Sequence, residues 1–291
     1  MIEVVRPGAL TTVQDRGRIG WAHLGIPRSG ALDQPALRRA NQLVGNDAGA
    51  AGLETTLTGC VLRFRAHTTV AVTGAAARVS VDDQVRPHNE AFAVRAGAVL
   101  TIGTARAGVR SYLGVRGGID AVPVLGSRAT DTLSGLGPAP ISAGDVLPIG
   151  TTVGTEIGTG ADTVLGTGVG ETLESESAAL RIRRGPRDDW FTDGAWASLC
   201  GGPYTVSVRS NRVGARLDGA ALARRTASEL PSEGIVLGAV QVTADGQPLV
   251  FLADHPTTGG YPVIGVVDIA DVPLLAQARP GTTVRFYGPQ C

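Results

Sequence analysis

The chain has 291 residues, 43% of them apolar, and its 26 basic and 26 acidic side chains balance at neutral pH. The apolar content is enough for a full core in one large domain or two ordinary ones, and the charge balance argues against a nucleic-acid or membrane-surface binder. Every basic residue is arginine, so there is no lysine for a Walker A phosphate loop, a Schiff base or covalently attached biotin.

The first half of the chain predicts strands around one helix. "MIEVVRPG" predicts a strand that ends in a turn, and "DQPALRRANQLVGN" predicts a helix with Asp33 as its N-cap, Pro35 in its first turn and Gly45 at its end. Between Leu53 and Val115, alternating apolar segments are separated by glycine and by polar pairs. They predict a series of short strands, which is typical of a β-barrel or β-sandwich.

The second half begins after a connector. Residues 151–170 contain six glycines and six threonines, a composition typical of a flexible connector. We therefore predict two domains, 1–165 and 166–291. Beyond the connector, apolar segments predict further strands. "DDWFTDGAWASLC" and "DIADVPLLAQA" predict two short helices, with Asp188 and Asp268 as their caps.

The two halves share a weak internal repeat. "GALDQPALRR" in the first half and "ARLDGAALARR" in the second both place Leu-Asp before an apolar stretch with a double arginine, predicting a helical turn in each. The shared order predicts an internal duplication. Two related β-domains would have a seam between them, and seams between domains are common ligand sites.

The cysteines and histidines give no sign of a metal site. Cys60, Cys200 and Cys291 are far apart and form no CxxC pair, so we expect ordinary reduced thiols instead of a disulfide or zinc site. None of the four histidines has metal-ligand spacing. The N-terminal stretch has no signal-peptide core, and no apolar run approaches the roughly 20 residues of a membrane span. We therefore expect a cytoplasmic protein that binds no metal and no membrane.

Polar side chains that could bind a small substrate gather in three loops. Arginines beside carboxylates and amides can bind a carboxylate or carbonyl group bidentately, although such pairs also commonly hold turns together. Asp15 and Asp254 could transfer a proton if partly desolvated, and they are the predicted catalytic residues. The predicted substrate-binding residues are Gln14, Arg16, Arg18, Ser29, Arg209, Asn211, Arg212, Gln241, His255, Thr257, Thr258, Gly259, Gly260 and Tyr261.

Two of these loops lead to structural predictions. The segment "ADHPTTGGYP" is predicted to lie over the seam between the domains, with Gly259 or Gly260 at positive φ so that the backbone can approach a ligand. In the first loop we predict that Arg16 and Arg18 differ. One should be buried against an acid such as Asp15 or Asp33, and the other should face a cleft.

Several stretches together resemble a known family. "GALTTVQDRGRIGWAHLGIPRSGALD", "RANQLVGN", "VRSNRVGARLDG", "SEGIVLGAVQV" and "DGQPLVFLADHPTTGGYPVIG" occur in this order. With them, the sequence resembles the biotin-dependent carboxyltransferase-like family over roughly residues 4–287. That family includes the C subunit of 5-oxoprolinase, allophanate hydrolase subunit 2 and KipA-like antagonists of a kinase inhibitor. The resemblance implies a mainly β fold of tandem cyclophilin-like β-barrels with a few short helices.

The resemblance also implies a function and partners. It implies the C subunit of a 5-oxoprolinase complex, inactive alone, which opens 5-oxoproline to glutamate with ATP at a site shared with partner subunits. The implied partners are a KipI-like B subunit from the adjacent gene and a third lactam-utilisation subunit. The implied substrate is a small carboxylate or amide, and whether ATP contacts this chain stays open.

Two alternatives and one departure accompany this resemblance. The chain could be a regulatory antagonist that sequesters the B subunit, or a carboxyltransferase or allophanate hydrolase-associated subunit of urea metabolism that uses a separate biotin carrier. Where the family usually has Ser-Asp-Arg, this chain has Ser210-Asn211-Arg212. An amide cannot act as a general base, so a positioning role is implied for Asn211.

Overall fold

The computed structural model describes residues 1–151, 177–226, 228, 230–289 and 291. They fall into two compact units. The first contains Met1–Arg18, Ser29–Asp131 and residues 135–151, and the second contains Ile19–Arg28, Thr132–Ser134 and the described residues from 177 onward. The predicted domain boundary at 165/166 and the predicted connector lie outside the described residues, so the boundary stays a prediction.

The first unit is an antiparallel sheet that curls around a hydrophobic core. The sheet runs in the order β2-β3-β8-β4-β1-β9, and β5 pairs with β6, β7 and β8. Alternate residues of these strands, among them Ile2, Leu62 and Leu100, are fully buried in the core. The strands are β1 (Ile2–Arg6), β2 (Leu10–Gln14), β3 (Gly52–Thr56), β4 (Cys60–Phe64), β5 (Thr68–Val81), β6 (Gln84–Arg86), β7 (Ala91–Val94), β8 (Val99–Val115) and β9 (Val146–Leu147).

Two strands are far longer than the sequence predicted. β5 has 14 residues and β8 has 17, although a series of short strands was predicted for this part of the chain. Gly74 and Gly108, at φ 82° and 76°, do not end these strands. The register between β5 and β8 instead shifts at three places between Gly74 and Val79. Such bulges bend a strand without ending it, and a glycine in a sequence is compatible with a bulge or a turn.

The predicted first helix is confirmed as α1 (Gln34–Leu43). The Asp33 carboxylate accepts a hydrogen bond from the Ala36 N–H at 3.0 Å, as expected of an N-cap. Leu37 and Ala40 are buried on the helix face that packs on the sheet. A Cβ on Gly114 of β8 would lie 2.7 Å from the Ala40 backbone, so glycine is required there for the helix to lie this close.

A buried polar cluster holds the start of α1 against the sheet. The Tyr112 hydroxyl donates to the Glu54 carboxylate at 2.8 Å and accepts from the Asp33 N–H at 2.8 Å. Glu54 also accepts from the Leu32 N–H at 2.9 Å and lies 3.5 Å from the Arg110 guanidinium. Burial, followed by the nearby Glu54 charge, raises the pKa of Tyr112 well above its usual range. The phenol therefore stays protonated and acts as a donor.

The second unit contains a closed seven-stranded barrel in the order β10-β17-β14-β15-β12-β11-β18. β18 closes the barrel by pairing parallel with β10 and antiparallel with β11. β13 and β16 form a separate two-stranded ladder. The strands are β10 (Ser177–Arg184), β11 (Tyr204–Val206), β12 (Gly214–Asp218), β13 (Glu233–Gly234), β14 (Ala239–Val242), β15 (Pro248–Phe251), β16 (Thr258–Gly259), β17 (Val263–Val267) and β18 (Thr283–Tyr287). The predicted mainly β fold with a few short helices is confirmed.

The two later helices form where predicted, but their caps do not. α2 (Asp193–Gly201) has Thr192 at its N-cap, and Asp188 instead starts a single 3₁₀ turn. α3 (Val272–Gln277) has Asp271 at its N-cap. Asp268 instead accepts a hydrogen bond from the Ala270 N–H. In both cases a run with several acids offered more than one cap position, and tertiary packing decided between them.

The second copy of the predicted repeat is not helical. Asp218 is the last residue of β12, and residues 219–226 contain no helix. A Cβ on Gly219 would lie 2.5 Å from the Tyr204 ring, so the chain here packs closely over an aromatic side chain. The prediction of a helical turn after Asp218 was therefore wrong.

The expectation that the cysteines are reduced was also wrong for two of them. Cys200, near the end of α2, forms a disulfide with Cys291. These residues are 91 positions apart, and only the packing of α2 beside β18 brings them together. Cys60 is free and fully buried, and burial raises the pKa of its thiol to about 12.

No helix in the described part of the chain is long and apolar enough to cross a bilayer.

Candidate functional site

In the first unit, the loop after β2 folds around the carboxylate of Asp15. One carboxylate oxygen accepts hydrogen bonds from the Gly17 N–H at 2.7 Å and the Ser127 hydroxyl at 2.6 Å. The other accepts from the Arg128 N–H at 2.6 Å. Asp15 is 7% exposed. Its carboxylate therefore organises two chain segments in this structure, and its predicted catalytic role stays a prediction.

Gln14 and Ser29 both bind the main-chain carbonyl of Thr130. The Gln14 amide donates to it at 2.9 Å and the Ser29 hydroxyl at 3.0 Å. Ser29 has φ 53° and is followed by Gly30 at φ 98°. A Cβ on Gly30 would lie 2.9 Å from the Arg16 backbone, so this turn requires glycine in order to pack against the Asp15 loop.

The predicted difference in burial between Arg16 and Arg18 is present, whereas an acid beside the buried arginine and a cleft beside the exposed one stay predictions. Arg18 is 1% exposed, and its guanidinium donates to the main-chain carbonyl of Ala129. A side chain on Gly137 would collide with this guanidinium. Arg16 is exposed and lies 3.6 Å from Asp47, which is also exposed. Arg18 is thus the buried member of the pair, and its orientation is fixed by a carbonyl.

We expect Arg18→Ala to lower the free energy of unfolding by about 1.5–3 kcal/mol, because it removes a charged donor from a buried carbonyl. Arg16→Ala removes only a surface ion pair and should change the free energy of unfolding by less than about 0.5 kcal/mol. Denaturant unfolding of both variants measures this difference. Equal shifts in the two variants would contradict the assignment of Arg18 as the buried structural arginine.

Residues 127–132, "SRATDT", were missed by the sequence analysis. Ser127 and Arg128 bind Asp15, and the carbonyls of Ala129 and Thr130 bind the side chains of Arg18, Gln14 and Ser29. The available signal was a run of small and hydroxyl residues around an arginine and an aspartate, set between glycines. That run is typical of an ordinary loop until its partners are known.

In the second unit, Asp254 and Arg212 form a buried bidentate ion pair. The N–O distances are 2.9 and 3.0 Å, and the side chains are 2% exposed for Arg212 and 0% for Asp254. The Thr132 N–H and hydroxyl also donate to Asp254, at 3.0 and 2.6 Å. Burial by itself raises the pKa of Asp254, but the Arg212 charge and these hydrogen bonds outweigh it and hold the pKa below its usual range. Asp254 is therefore ionised at neutral pH.

The neighbouring residues Asn211 and Arg209 differ in role. The Asn211 side-chain oxygen accepts from the Val213 N–H at 2.8 Å and the Gly214 N–H at 3.3 Å. An Asn oxygen can make this turn as well as an Asp oxygen. The asparagine at position 211 is therefore compatible with the turn that precedes β12. Arg209 is exposed and lies 3.8 Å from Asp218. Asn211 thus positions the backbone next to Arg212, and Arg209 lies at the surface.

The Gly-Gly loop, residues 253–262, was predicted to have a glycine at positive φ, and this prediction was wrong. Neither Gly259 nor Gly260 has positive φ. Gly259 instead pairs with Glu233 in the ladder between β16 and β13. A Cβ on Gly259 would lie 2.8 Å from the amide nitrogen of Gln241, whose side chain is buried and donates to the Tyr261 carbonyl at 2.8 Å. Glycine at position 259 makes room for the Gln241 amide and does not serve a left-handed turn.

We expect Gly259→Ala to lower the free energy of unfolding by roughly 1–3 kcal/mol, because the new methyl group must displace Gln241. Gly260→Ala is the matched control, since a Cβ there would come no closer than 3.3 Å, to the Leu230 carbonyl. Thermal melting of both variants measures the difference. A control variant that loses as much stability as Gly259→Ala would show that the Gln241 contact is not the cause.

The remaining predicted residues of this loop lie in β16 or close to it in the chain. His255 is buried, and its Nδ1 lies 2.7 Å from the Pro256 carbonyl, so this nitrogen donates. The Thr257 carbonyl accepts from the Ile235 N–H at 2.9 Å, and Thr258 is exposed in β16. Tyr261 is 44% exposed. The prediction that this loop covers a seam between domains stays a prediction.

Two further arginines, both missed by the sequence analysis, flank the loop. Arg187 forms a bidentate pair with Glu233, and this hydrogen bonding lowers the pKa of Glu233. Arg224 lies over the Tyr261 ring, with its guanidinium carbon 5.4 Å from the ring centre. Among the described residues, no group of His, Cys, Asp and Glu side chains could hold a metal ion. Guanidinium groups of this kind can bind a carboxylate or a carbonyl group that comes within reach.

The sequence is similar to known proteins along almost its whole length. A family model described as carboxyltransferase domain, subdomain A and B, matches residues 24–288. The C subunit of 5-oxoprolinase from Escherichia coli strain K12 is 40% identical over 100% of this chain and 91% of its own length. The C subunit of 5-oxoprolinase from Haemophilus influenzae is 34% identical over 98% of this chain and 90% of its own length. The urea amidolyase of Saccharomyces cerevisiae is 33% identical over 98% of this chain but only 16% of its own.

Solved structures resemble the fold closely. The Kluyveromyces lactis urea amidolyase superposes with a TM-score of 0.87 at 31% identity, over 99% of this chain and 18% of its own. The Kluyveromyces lactis urea carboxylase superposes with a TM-score of 0.86 at 31% identity, over 99% of this chain and 27% of its own. Another solved chain superposes with a TM-score of 0.85 at 37% identity, over 98% of this chain and 55% of its own. This chain thus spans only part of the solved chains that it matches.

Proposed function

The chain belongs to the carboxyltransferase-domain family with subdomains A and B, and from this premise we propose that it is the C subunit of a 5-oxoprolinase complex. The observation that carries the proposal is the end-to-end match to two relatives that bear this name, of which this chain covers 91% and 90%. The urea amidolyases, in contrast, are covered over 16% and 17% of their length. The proposed activity is the ATP-dependent opening of 5-oxoproline to glutamate.

We place the reaction at a site to which this chain contributes binding and positioning groups. The absence of lysine excludes a Walker A loop, so a partner would supply the phosphate-handling groups. The proposed partners are a KipI-like B subunit and a third lactam-utilisation subunit. An obligate interface of this kind would bury more than the standard size of about 1,600 Å². ATP would be used by the complex.

Within this proposal, Asp254 is a positioning residue. A general base works best when its pKa lies near the operating pH, but the pKa of Asp254 is held below its usual range. Its bidentate bond to Arg212 and its bonds to Thr132 fix three segments of the second unit instead. Proton transfer during ring opening would then be carried out by a group of a partner protein or by Asp15.

The family name raises the question of biotin. Carboxyltransferase chemistry uses carboxybiotin, and biotin is attached to proteins through lysine. This chain has no lysine, so biotin does not fit as its resident group. The second candidate function, favoured by the urea amidolyase relative and the TM-score of 0.87, is a carboxyltransferase subunit of urea metabolism that receives biotin on a separate carrier.

The test is to purify this chain with the products of its neighbouring genes and to assay each protein alone and all together. We expect ATP hydrolysis and glutamate release only in the complete mixture with 5-oxoproline. Turnover by this chain alone would contradict the shared site. An inactive complete mixture would contradict the 5-oxoprolinase assignment. Transfer of the carboxyl group from an added carboxylated biotin carrier to urea would then support the second candidate, and tight binding of the B subunit without any turnover would support the regulatory antagonist.

A further inference from the structure

Arg224 differs from the other arginines beside the Gly-Gly loop because none of the described carboxylates pairs with it. Arg187 pairs with Glu233, and Arg212 pairs with Asp254. No carboxylate of the described residues lies within ion-pair distance of Arg224. Its neighbour Arg225 pairs with Asp193 at 2.9 Å. Arg224 is therefore a cation of this region whose charge no carboxylate of the described residues compensates.

The Arg224 guanidinium is held in place without that partner. One of its terminal nitrogens donates to the main-chain carbonyl of Val242, and its carbon lies 5.4 Å from the centre of the Tyr261 ring. Its backbone forms a β-bridge with Phe191. The main chain of Tyr261 is held as well, because the buried Gln241 side chain donates to its carbonyl at 2.8 Å. The guanidinium is thus positioned beside the Tyr261 ring before any ligand binds.

The environment of Arg224 favours an anion. Its side chain is half-buried, and its Nε has no hydrogen-bond partner among the described residues. A guanidinium that is partly removed from water gains most from a carboxylate, which accepts its charge-assisted hydrogen bonds. Tyr261, 44% exposed, adds apolar surface next to the charge. A small carboxylate joined to a short ring matches both features.

We propose that Arg224 and Tyr261 form the subsite that binds the carboxylate of the substrate. The inference rests on the proposed function, since 5-oxoproline carries one carboxylate beside its lactam ring. A carboxylate is favoured over a phosphate, because Arg224 is a single cation and no lysine or P-loop accompanies it. Arg224 touches the ligand in this proposal, and Gln241 and Val242 act only by positioning it and Tyr261.

The kinetic test uses the active complex with Arg224→Gln, Arg224→Lys and the control Arg285→Gln. Arg285 lies on β18, is exposed and has no ion pair among the described residues. We expect Arg224→Gln to raise KM for 5-oxoproline by about 10–100-fold, with kcat changed by less than about threefold, since a charge-assisted hydrogen bond is removed. Arg224→Lys should recover part of the loss. An unchanged KM in Arg224→Gln would overturn the subsite and leave the 5-oxoprolinase assignment intact.

The binding test uses the isolated full chain and does not depend on turnover. We expect 5-oxoproline to bind to the wild type and to Arg285→Gln, but not to Arg224→Gln at a comparable concentration. We expect weak or no binding of 2-pyrrolidinone, which has the same ring without the carboxylate. Equal binding of 2-pyrrolidinone, or stronger binding of inorganic phosphate, would overturn the carboxylate subsite. Arg224-dependent binding together with an inactive complex would keep the subsite and reject 5-oxoproline turnover.

Discussion

Arg212→Met is expected to lower the free energy of unfolding by about 3–5 kcal/mol, because it leaves the Asp254 carboxylate buried without its charge partner. Arg212 and Asp254 are 2% and 0% exposed and are joined by two hydrogen bonds. Methionine keeps much of the side-chain volume, so the loss measures the missing charge more than a cavity. Denaturant unfolding at neutral pH gives the value.

Arg209→Met is the matched control for this prediction. Arg209 lies three positions away, is exposed, and is 3.8 Å from the exposed Asp218. A surface pair of this kind contributes about 0–1 kcal/mol. The double replacement Arg212→Met with Asp254→Leu should be less destabilising than Arg212→Met alone, because it removes the stranded charge. Similar losses for Arg212→Met and Arg209→Met would show that the buried pair does not stabilise the second unit as argued.

The same pair predicts a pH dependence with a definite sign. The pKa of Asp254 is held below its usual range in the folded chain. A carboxyl group of this kind contributes stability that is fully present above its unfolded pKa of about 3.9 and is lost as the pH falls through the folded pKa. In Arg212→Met, burial acts without the compensating charge and raises the pKa of Asp254. We therefore expect the stability gap between wild type and variant to narrow as the pH falls from 7 to 4, as measured by denaturant unfolding at both values.

Local chemistry was enough to predict some elements and not others. The start of α1 was predicted correctly, because Asp33 and Pro35 carry their cap and first-turn signals within three residues. The lengths of β5 and β8 were not predicted, because in a sequence a glycine that allows a bulge cannot be distinguished from one that ends a strand. The caps of α2 and α3 were misassigned, because each predicted helix began with several acids.

The candidate site shows the same limit at longer range. Arg212 and Asp254 were both predicted as site residues. The sequence analysis did not predict that these two side chains, 42 positions apart, bind each other. Ser127, 112 positions from Asp15, was missed altogether. Gly259 or Gly260 was predicted to have a positive φ, whereas neither does and Gly259 instead makes room for the Gln241 side chain. A single sequence gives the residue types that the chemistry needs, whereas the partners depend on strand pairing that brings distant segments together.

Reduction of the Cys200–Cys291 disulfide is expected to lower the free energy of unfolding by about 2–4 kcal/mol, because the bond restricts the unfolded chain across a separation of 91 residues. The loss should fall on the second unit, where Cys291 follows the barrel-closing strand β18 and Cys200 lies near the end of α2. In a domain of this size it corresponds to a fall in Tm of roughly 5–15 °C. Thermal melting with and without a reductant measures it.

The control for this prediction is Cys200→Ser, which should melt like the reduced wild type and should not respond further to a reductant. Cys60 does not interfere, because it is fully buried and the pKa of its thiol is raised to about 12. The reactive thiolate is therefore scarce at neutral pH. Thiol titration of the folded protein should detect no quickly reacting thiol in the untreated wild type and two such thiols after reduction. Identical melting of the wild type with and without reductant would show that the crosslink does not stabilise the barrel.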